Sequence, residues 1–352
     1  MISRKLIKTH LAAGVLAFGV ATATSTAAAD CKMFQVAELP VRLERNKLIV
    51  DGEINSRKIG IVLDTGATST MIFRSAAERL GLRRDRARGV RMFGVGGETT
   101  VESALVDEIK IGNASRKNWR MLVGGEHEIG AGMDVLLGED FLQSFDVEFD
   151  LKRAAVRLYQ PKDCAGVSLA YWATDGPRQV EFEPVDETHP QIRLSVLING
   201  QTLRALFDSG ASISLLDSPA AARLGVTPDT PGVVQVGRGA GLGRKTVDYW
   251  IGEFQSIAIG DETINDTSIV FGALFKDASY TKTGSRVPIR VESVSMLLGA
   301  DFLRAHRVLV AHSQRTIYFT YVGGPVFQRT APPASSTEPS GEAEAGPADG
   351  AR

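Results

Sequence analysis

The chain has 352 residues, of which 43% are hydrophobic and 23% are charged, and its formal net charge at pH 7 is −1. That length is sufficient for two domains with ordinary hydrophobic cores, and the composition is typical of a globular protein. The low net charge, with lysine and arginine spread along the chain, argues against nucleic acid and against an anionic membrane surface as partners.

The first 29 residues have the order of a secretory signal peptide. Arg4, Lys5 and Lys8 precede a short apolar segment, and small residues ending at Ala29 suit cleavage. The apolar segment is shorter than the roughly 20 residues that a membrane-spanning helix needs, so an uncleaved anchor is the weaker alternative. We therefore expect residues 1–29 to be removed and the mature protein to be secreted or periplasmic, with no stable membrane insertion after cleavage.

Two cysteines, Cys31 and Cys164, flank the first part of the mature chain. In an oxidising compartment they could form one disulfide, which would tie the mature N-terminus to the segment after the first domain. Two free thiols are the alternative, and neither cysteine has the sequence neighbourhood of a catalytic thiol.

An internal repeat is the most informative feature of the chain. The first copy reads IGIVLDTGATSTMI and the second reads LRALFDSGASISLL, so that Asp64 and Asp208 follow apolar runs at equivalent positions. Repeats change the prediction of the fold, because two copies indicate two similar structural units.

The same order of predicted elements surrounds each aspartate. Ahead of it, DG at Asp51–Gly52 and NG at Asn199–Gly200 predict the turns of two β-hairpins. After it, a short helix is predicted over Arg74–Leu82 and over Asp217–Val226, with the first two residues of the second helix as alternative N-caps.

Each copy closes with a Leu-Leu-Gly segment, LLGEDFL in the first and LLGADFL in the second. We expect Gly138 and Gly299 to let this segment pass close behind the aspartate turn. Asp140 and Asp301 form a second repeated pair of acids, and we predict that they cap short helices rather than act chemically. More residues separate the two motifs in the second copy, which indicates an inserted hairpin or long loop.

Strands dominate both copies, and we therefore predict an all-β protein with two lobes. The predicted lobes span residues 36–160 and 180–322, and residues 161–179 form the linker. Residues 329–352 are rich in Pro, Ala, Ser, Gly and Glu, and we predict that they form a disordered tail because they cannot bury enough apolar surface to offset their ordering entropy.

The paired motifs carry a family resemblance. An apolar strand leading into Asp-Thr/Ser-Gly-Ala, then a glycine-rich segment and a later Leu-Leu-Gly, resembles the retropepsin-like aspartic proteases, and the resemblance covers both lobes. It implies two β-barrel lobes related by a pseudo-twofold axis, with an interlobe cleft that takes protein or peptide substrates.

Carboxyl groups can hydrolyse peptide bonds when two of them are in different protonation states, one acting as a base on water and the other as a proton donor. Two adjacent carboxyls cannot both ionise, so they share a proton and titrate as a coupled pair. One lobe supplies only one such acid, which explains the duplication. We predict Asp64 and Asp208 as the catalytic pair. No cofactor is expected, and the scattered histidines lack the spacing of a zinc site.

The resemblance also assigns supporting roles to the residues after each aspartate. Hydroxyl side chains would cross-link the two turns, and glycines would allow their close approach. Alanine at the third position, where many pepsin-type enzymes have a hydroxyl residue, would favour activity at milder pH. These supporting residues are Thr65, Gly66, Ala67, Ser209, Gly210 and Ala211.

Glycine-rich segments near Gly94–Gly97 and Gly237–Gly243 are predicted to be flaps that add β-type hydrogen bonds to a substrate strand. The glycines assigned to them are Gly94, Gly96, Gly97, Gly239 and Gly241. Plain hairpin loops are the alternative. The second segment lacks the spacing of a phosphate-binding loop.

Two alternatives to a single-chain protease stay open on the sequence. A catalytically silent peptide-binding or scaffolding protein with the same fold would accommodate the difference between Thr65 and Ser209 and the longer second copy. The lobes could also pair between chains. A monomer with lobes paired within the chain is favoured, because both copies carry complete motifs on a linker of ordinary length.

Overall fold

The structure is a computed structural model that describes residues 30–87, 92–125, 130, 132–186, 190–243, 245–275, 279–281, 288–290 and 294–327. The predicted signal peptide (1–29) and the predicted tail (329–352) lie outside these residues. Among the helices described, none is long and apolar enough to cross a membrane.

The first half of the chain forms mostly strands, with two short α-helices and one 3₁₀ helix. Its elements are β1 (Lys32–Glu44), β2 (Lys47–Ile54), β3 (Arg57–Leu63), β4 (Met71–Phe73), α1 (Arg74–Arg79), β5 (Arg84–Arg86), β6 (Met92–Gly94), β7 (Gly97–Thr99), β8 (Glu102–Ile111), β9 (Ala114–Gly124), β10 (Val135–Leu137), α2 (Glu139–Leu142), β11 (Asp146–Asp150), the 3₁₀ helix Leu151–Arg153 and β12 (Ala155–Lys162).

The second half repeats the order of the barrel strands and adds a hairpin. Its elements are β13 (Arg178–Glu181), β14 (Arg193–Ile198), β15 (Gln201–Phe207), β16 (Leu215–Asp217), α3 (Ser218–Arg223), β17 (Val234–Gly239), β18 (Val247–Ile259), β19 (Glu262–Gly272), β20 (Ser279–Thr281), β21 (Pro288–Arg290), β22 (Met296–Leu298), α4 (Ala300–Ala305), β23 (His306–Ala311) and β24 (Thr316–Tyr321). The added hairpin, β20–β21, falls where the sequence predicts an insertion.

Each half closes into a six-stranded barrel. In the first lobe the strands follow the order β2-β3-β10-β4-β9-β8, and β2 pairs with β8 to close the barrel. In the second lobe the order is β14-β15-β22-β16-β19-β18, closed by β14 and β18. The two barrels have equivalent strands in equivalent places, which confirms the predicted fold of two retropepsin-like lobes.

A sheet shared by both lobes joins the barrels. Its order is β13-β24-β23-β11-β12-β1, in which β11 of the first lobe pairs antiparallel with β23 of the second. Phe149 of β11 is fully buried, and its ring centroid lies 6.2 Å from that of Phe207 at the end of β15. The lobes are therefore joined by both backbone hydrogen bonds and a continuous apolar core.

The ends of the first lobe differ from the sequence-based boundaries. β1 begins at Lys32 rather than at residue 36, because its first residues pair with β12 as far as Lys162. A disulfide joins Cys31 to Cys164 beside this pairing. The predicted linker is packed rather than open, since Leu169 is buried in an apolar cluster with aromatic residues of the shared sheet.

One of the two predicted hairpin turns is wrong. Asn199–Gly200 forms the turn between β14 and β15, with both residues at positive φ. Asp51–Gly52 instead lies inside β2, and the turn follows at Asn55–Ser56. Packing explains why this position is a glycine, because a Cβ at Gly52 would lie 2.6 Å from the carbonyl oxygen of Lys110 on the neighbouring strand β8.

Candidate active site

Asp64 and Asp208 stand directly after the buried strands β3 and β15. The N–H of Asp64 donates to the carbonyl of Leu137, 3.0 Å away, and that of Asp208 donates to the carbonyl of Leu298, 2.9 Å away. These acceptors end β10 and β22, which run parallel to β3 and β15. Paired parallel strands therefore deliver each aspartate to the surface where the two lobes meet.

The glycine of each turn packs against the carboxyl group of the other lobe. A Cβ on Gly66 would lie 2.4 Å from Cγ of Asp208, and a Cβ on Gly210 would lie 2.2 Å from Cγ of Asp64. Any side chain at either position would displace the opposite acid. Glycine is therefore required here because the two turns interlock, and this interlocking brings the acids together.

The two carboxyl groups form one titrating pair. Both aspartates are half-buried, and they lie within hydrogen-bonding reach of each other. Burial, and then the charge of Asp208, raise the pKa of Asp64 well above its ordinary value. Burial also raises the pKa of Asp208, although Lys47 and nearby backbone N–H groups oppose the rise. The pair therefore holds a shared proton to a higher pH than free carboxyls do.

Backbone donors in the turns orient the carboxyl groups. The N–H of Gly66 donates to Oδ1 of Asp64 and the N–H of Ala211 donates to Oδ1 of Asp208, each at 2.9 Å. The carbonyls of Ala67 and Ala211 accept from the first residues of α2 and α4, also at 2.9 Å. The alanines therefore hold the turns against the Leu-Leu-Gly segments.

Four hydrogen bonds made by Thr65 and Ser209 cross-link the lobes beneath the acids. The hydroxyl of Thr65 donates to the carbonyl of Phe207 (2.7 Å) and accepts from the N–H of Ser209 (2.9 Å). The hydroxyl of Ser209 donates to the carbonyl of Leu63 (2.9 Å) and accepts from the N–H of Thr65 (3.0 Å). Both side chains are fully buried, so the arrangement satisfies polar groups that water cannot reach.

The predicted capping role of Asp140 and Asp301 is wrong. The N-caps of α2 and α4 are glycines without a side-chain capping bond. Asp140 instead accepts from the hydroxyl of Thr70 at 2.6 Å, and Asp301 accepts from the hydroxyl of Ser214 at the same distance. The acids bond to Thr70 and Ser214 because the loop after each aspartate turn passes within hydrogen-bonding distance of the helix start.

Each of these hydroxyls also accepts a hydrogen bond, so that a chain of hydrogen bonds runs behind each aspartate turn. The N–H groups of Gly138 and Gly299 donate to Thr70 and Ser214, at 3.1 and 2.9 Å. A Cβ on Gly299 would lie 2.5 Å from the backbone of Ile213, which confirms the expected close passage. Sequence reasoning missed Thr70 and Ser214, although both stand at the same distance after their aspartates.

A second pair of cross-lobe contacts was also missed. The ammonium of Lys47, at the start of β2, donates to the carbonyl of Gly210 in the other lobe. Gln191, just before β14, donates from Nε2 to the carbonyl of Gly66 at 3.2 Å. The two residues stand equally far ahead of Asp64 and Asp208, and the repeat itself could have identified them.

Comparison with known proteins agrees with this duplicated site. Residues 50–144 match the family described as "gag-polyprotein putative aspartyl protease", and residues 194–302 match the family described as "Aspartyl protease". Each match contains one of the two aspartate turns. The chain belongs to the retropepsin-like aspartic protease family. The family's unit occurs twice in it, once in each lobe.

One solved structure similar to this chain is the crystal structure of a retropepsin-like aspartic protease from Rickettsia conorii. The two are 18% identical, the match covers 37% of this chain and 94% of that chain, and the TM-score is 0.26. The search of curated proteins gives no significant match.

The two glycine-rich segments of this retropepsin-like protein are hairpins whose tips touch. β6 and β7 form the first hairpin, with Gly96 in its turn and Gly97 at the start of β7 both at positive φ. The N–H of Gly243 donates to the carbonyl of Val95 and that of Lys245 donates to the carbonyl of Gly96, both at 3.0 Å.

Glycines allow this contact. A Cβ on Gly94 would lie 3.0 Å from Leu242, and one on Gly241 would lie 2.7 Å from Val95. Gly239 lies elsewhere in the second hairpin, against the ring of Tyr249. Gly94 and Gly241 therefore serve the approach of one hairpin to the other, whereas Gly239 serves packing within its own hairpin.

The part of the chain that the structure describes contains no group of three or more His, Cys, Asp or Glu side chains placed to hold a metal ion. The polar groups around the aspartates are backbone amides, hydroxyls, one amide side chain and one ammonium. Such a set can orient carboxyls and a water molecule.

Proposed function

We propose that this protein is a single-chain aspartic endopeptidase that hydrolyses peptide bonds with Asp64, Asp208 and an activated water. The observation that carries the proposal is the interlocking of the two turns, in which the glycine of each lobe contacts the carboxyl of the other. That contact places two acids of different lobes side by side, as the chemistry requires.

In the proposed mechanism the pair enters the reaction with one shared proton. Asp208 accepts a proton from the water as the water attacks the scissile carbonyl, and Asp64 donates its proton to the carbonyl oxygen. Collapse of the tetrahedral intermediate breaks the C–N bond. One hydroxyl of the intermediate returns its proton to Asp64 as the product C=O forms, and the proton taken up by Asp208 passes to the leaving amine, which restores the singly protonated pair. The raised pKa of both acids, caused first by burial, supports a pair that enters the reaction with one proton.

An extended peptide would lie between the aspartates and the two hairpin tips. Val95, at the tip of the first hairpin, packs on an apolar cluster of the second lobe that also contacts Ala211 and Ile213. Apolar walls beside the acids favour peptide side chains over charged polymers. The touching hairpins must separate to admit a chain, after which their free backbone groups can bond to the substrate.

We further propose that the mature protein is a secreted or periplasmic monomer. The order of residues 1–29 and the disulfide between Cys31 and Cys164 support an oxidising compartment. Expression in a secretion-competent bacterium followed by N-terminal sequencing tests this, with Asp30 expected as the first residue. Analytical ultracentrifugation of the active protein tests the monomer.

The catalytic proposal is tested by Asp64→Asn and Asp208→Asn. Each variant should lose cleavage of a peptide library, while far-UV circular dichroism shows the fold unchanged, because Asn keeps the shape but cannot share a proton. Asp261→Asn, in an exposed turn, is the matched control and should keep full activity.

Full activity in either active-site variant would refute the shared-proton mechanism. A wild-type protein that binds peptides without turnover over a wide pH range would instead favour the catalytically silent peptide-binding protein.

A further inference from the structure

Lys47 and Gln191 occupy equivalent positions in the two lobes but differ in charge. Each donates one hydrogen bond to the carbonyl of the opposite lobe's turn glycine, Lys47 to Gly210 and Gln191 to Gly66. The two bonds are related by the same pseudo-twofold symmetry as the aspartates. A neutral amide is thus sufficient to make this contact, so the hydrogen bond alone does not explain the ammonium at Lys47.

The charge of Lys47 acts on both catalytic acids. It lowers the pKa of Asp64 and the pKa of Asp208, against the effect of burial. Two other cations lie near Lys47 and Gln191: Arg193 donates to Oε1 of Gln191 at 3.2 Å, and Arg304 donates to Oδ1 of Asn46, the neighbour of Lys47, at 2.8 Å. These guanidiniums contact the neighbours of the site, whereas the ammonium of Lys47 bonds to the catalytic turn itself.

We propose that Lys47 is a positioning residue whose positive charge sets the pH range in which the aspartate pair works, while Gln191 makes the same cross-lobe contact without charge. The inference rests on the proposed protease function. Its physical basis is that a half-buried cation beside two carboxyls stabilises their ionised forms, and does so more strongly than a surface charge because solvent screens it less.

The sign of the effect follows from the two ionisations of the pair. Loss of the first proton creates the active monoanion and gives the acidic limb of the pH–rate profile, and loss of the shared proton gives the alkaline limb. A nearby cation favours both losses. Removing the charge of Lys47 should therefore move both limbs to higher pH.

Lys47→Gln is the deciding variant, because it reproduces the chemistry of Gln191 and keeps a hydrogen-bond donor. We expect the profile of kcat/KM to move upward by about one to two pH units, as for one unit charge about 6–12 Å away at an effective dielectric of about 20. Gln191→Lys adds a second cation and should move the profile downward. Lys47→Arg keeps the charge and should leave the limbs in place, as should Lys58→Gln on the exposed surface of β3.

Titration of aspartate carboxyls by ¹³C NMR supplies a readout that does not need turnover, and circular dichroism establishes that each variant is folded.

The possible results separate the two proposals. If the wild type shows no proteolysis but the carboxyl titration moves in Lys47→Gln, the proposed function is refuted and the charge effect is supported. An active wild type whose profile and titration stay in place in Lys47→Gln would overturn the inference and leave the protease intact. A profile that changes in height alone would overturn it as well, since it assigns Lys47 a purely structural role. If Lys47→Gln does not fold, an unmoved profile in Gln191→Lys overturns the inference.

Discussion

Replacing Thr65 by valine tests whether the cross-link beneath the acids holds the two lobes in register. Valine has nearly the shape of threonine but has a methyl group in place of the hydroxyl, so the perturbation is confined to hydrogen bonding. The side chain is fully buried, and water cannot replace the lost partner.

The expected loss of unfolding free energy follows from the two polar groups that Thr65→Val leaves without a partner. The substitution removes the acceptor of the Ser209 N–H, 2.9 Å away, and the donor to the Phe207 carbonyl, 2.7 Å away. A buried polar group left unsatisfied costs about 1–3 kcal/mol, so the loss of unfolding free energy should be about 2–5 kcal/mol. That is a large part of the roughly 5–15 kcal/mol by which domains are stable.

Urea unfolding and peptide turnover should be measured on the same preparations of Thr65→Val. We expect turnover to fall by about a hundredfold, because a displacement of about 1 Å at reacting groups has that effect. Thr65→Ser keeps the hydroxyl and is the matched control, with Ser209 of the other lobe as the natural precedent.

A loss of stability below about 0.5 kcal/mol in Thr65→Val, the level of an ordinary surface substitution, would refute the reasoning. Unchanged turnover in a destabilised variant would show that the cross-link stabilises the fold without aligning the acids.

Two further predictions concern contacts away from the acids. Replacing both Cys31 and Cys164 by serine should lower the unfolding free energy by about 4–5 kcal/mol, because the disulfide closes a long loop with a sequence separation of 133; an equal urea midpoint in the double variant and the wild type would contradict this. His312→Asn should lower the melting temperature more at about pH 6.5 than at about pH 4. Nε2 of His312 lies 3.2 Å from the buried carboxylate of Glu139, whose pKa burial raises. The hydrogen bond to Glu139 and its charge raise the pKa of His312 against the effect of burial. Glu139 is therefore protonated at the lower pH and the pair is lost, whereas both groups are charged at about pH 6.5; equal losses at both pH values would show that the pair is not electrostatic.

The two lobes could be predicted because their signals are local in the sequence. Alternating apolar residues specify strands, Asn199–Gly200 specifies a tight turn, and the repetition of these signals specifies two similar units. The position of Asp64 and Asp208 after such strands followed from the same patterns.

The wrong predictions have one physical cause, which is packing between segments distant in the sequence. Asp51–Gly52 has the composition of a turn, yet Gly52 lies within a strand because another strand passes against it. Asp140 and Asp301 have the position of helix caps, yet each accepts a hydrogen bond from a hydroxyl in the loop after the aspartate turn.

The sequence by itself determined that this protein has two β lobes and that each brings one aspartate to a strand end, because strand patterns and repeats depend only on neighbouring residues. Only the tertiary structure decided what surrounds those acids. Lys47 and Gln191 stand at equivalent positions of the repeat, but their contacts with the opposite turn form only when the lobes meet. A charge acts on an acid through distance in space, and the fold alone sets that distance.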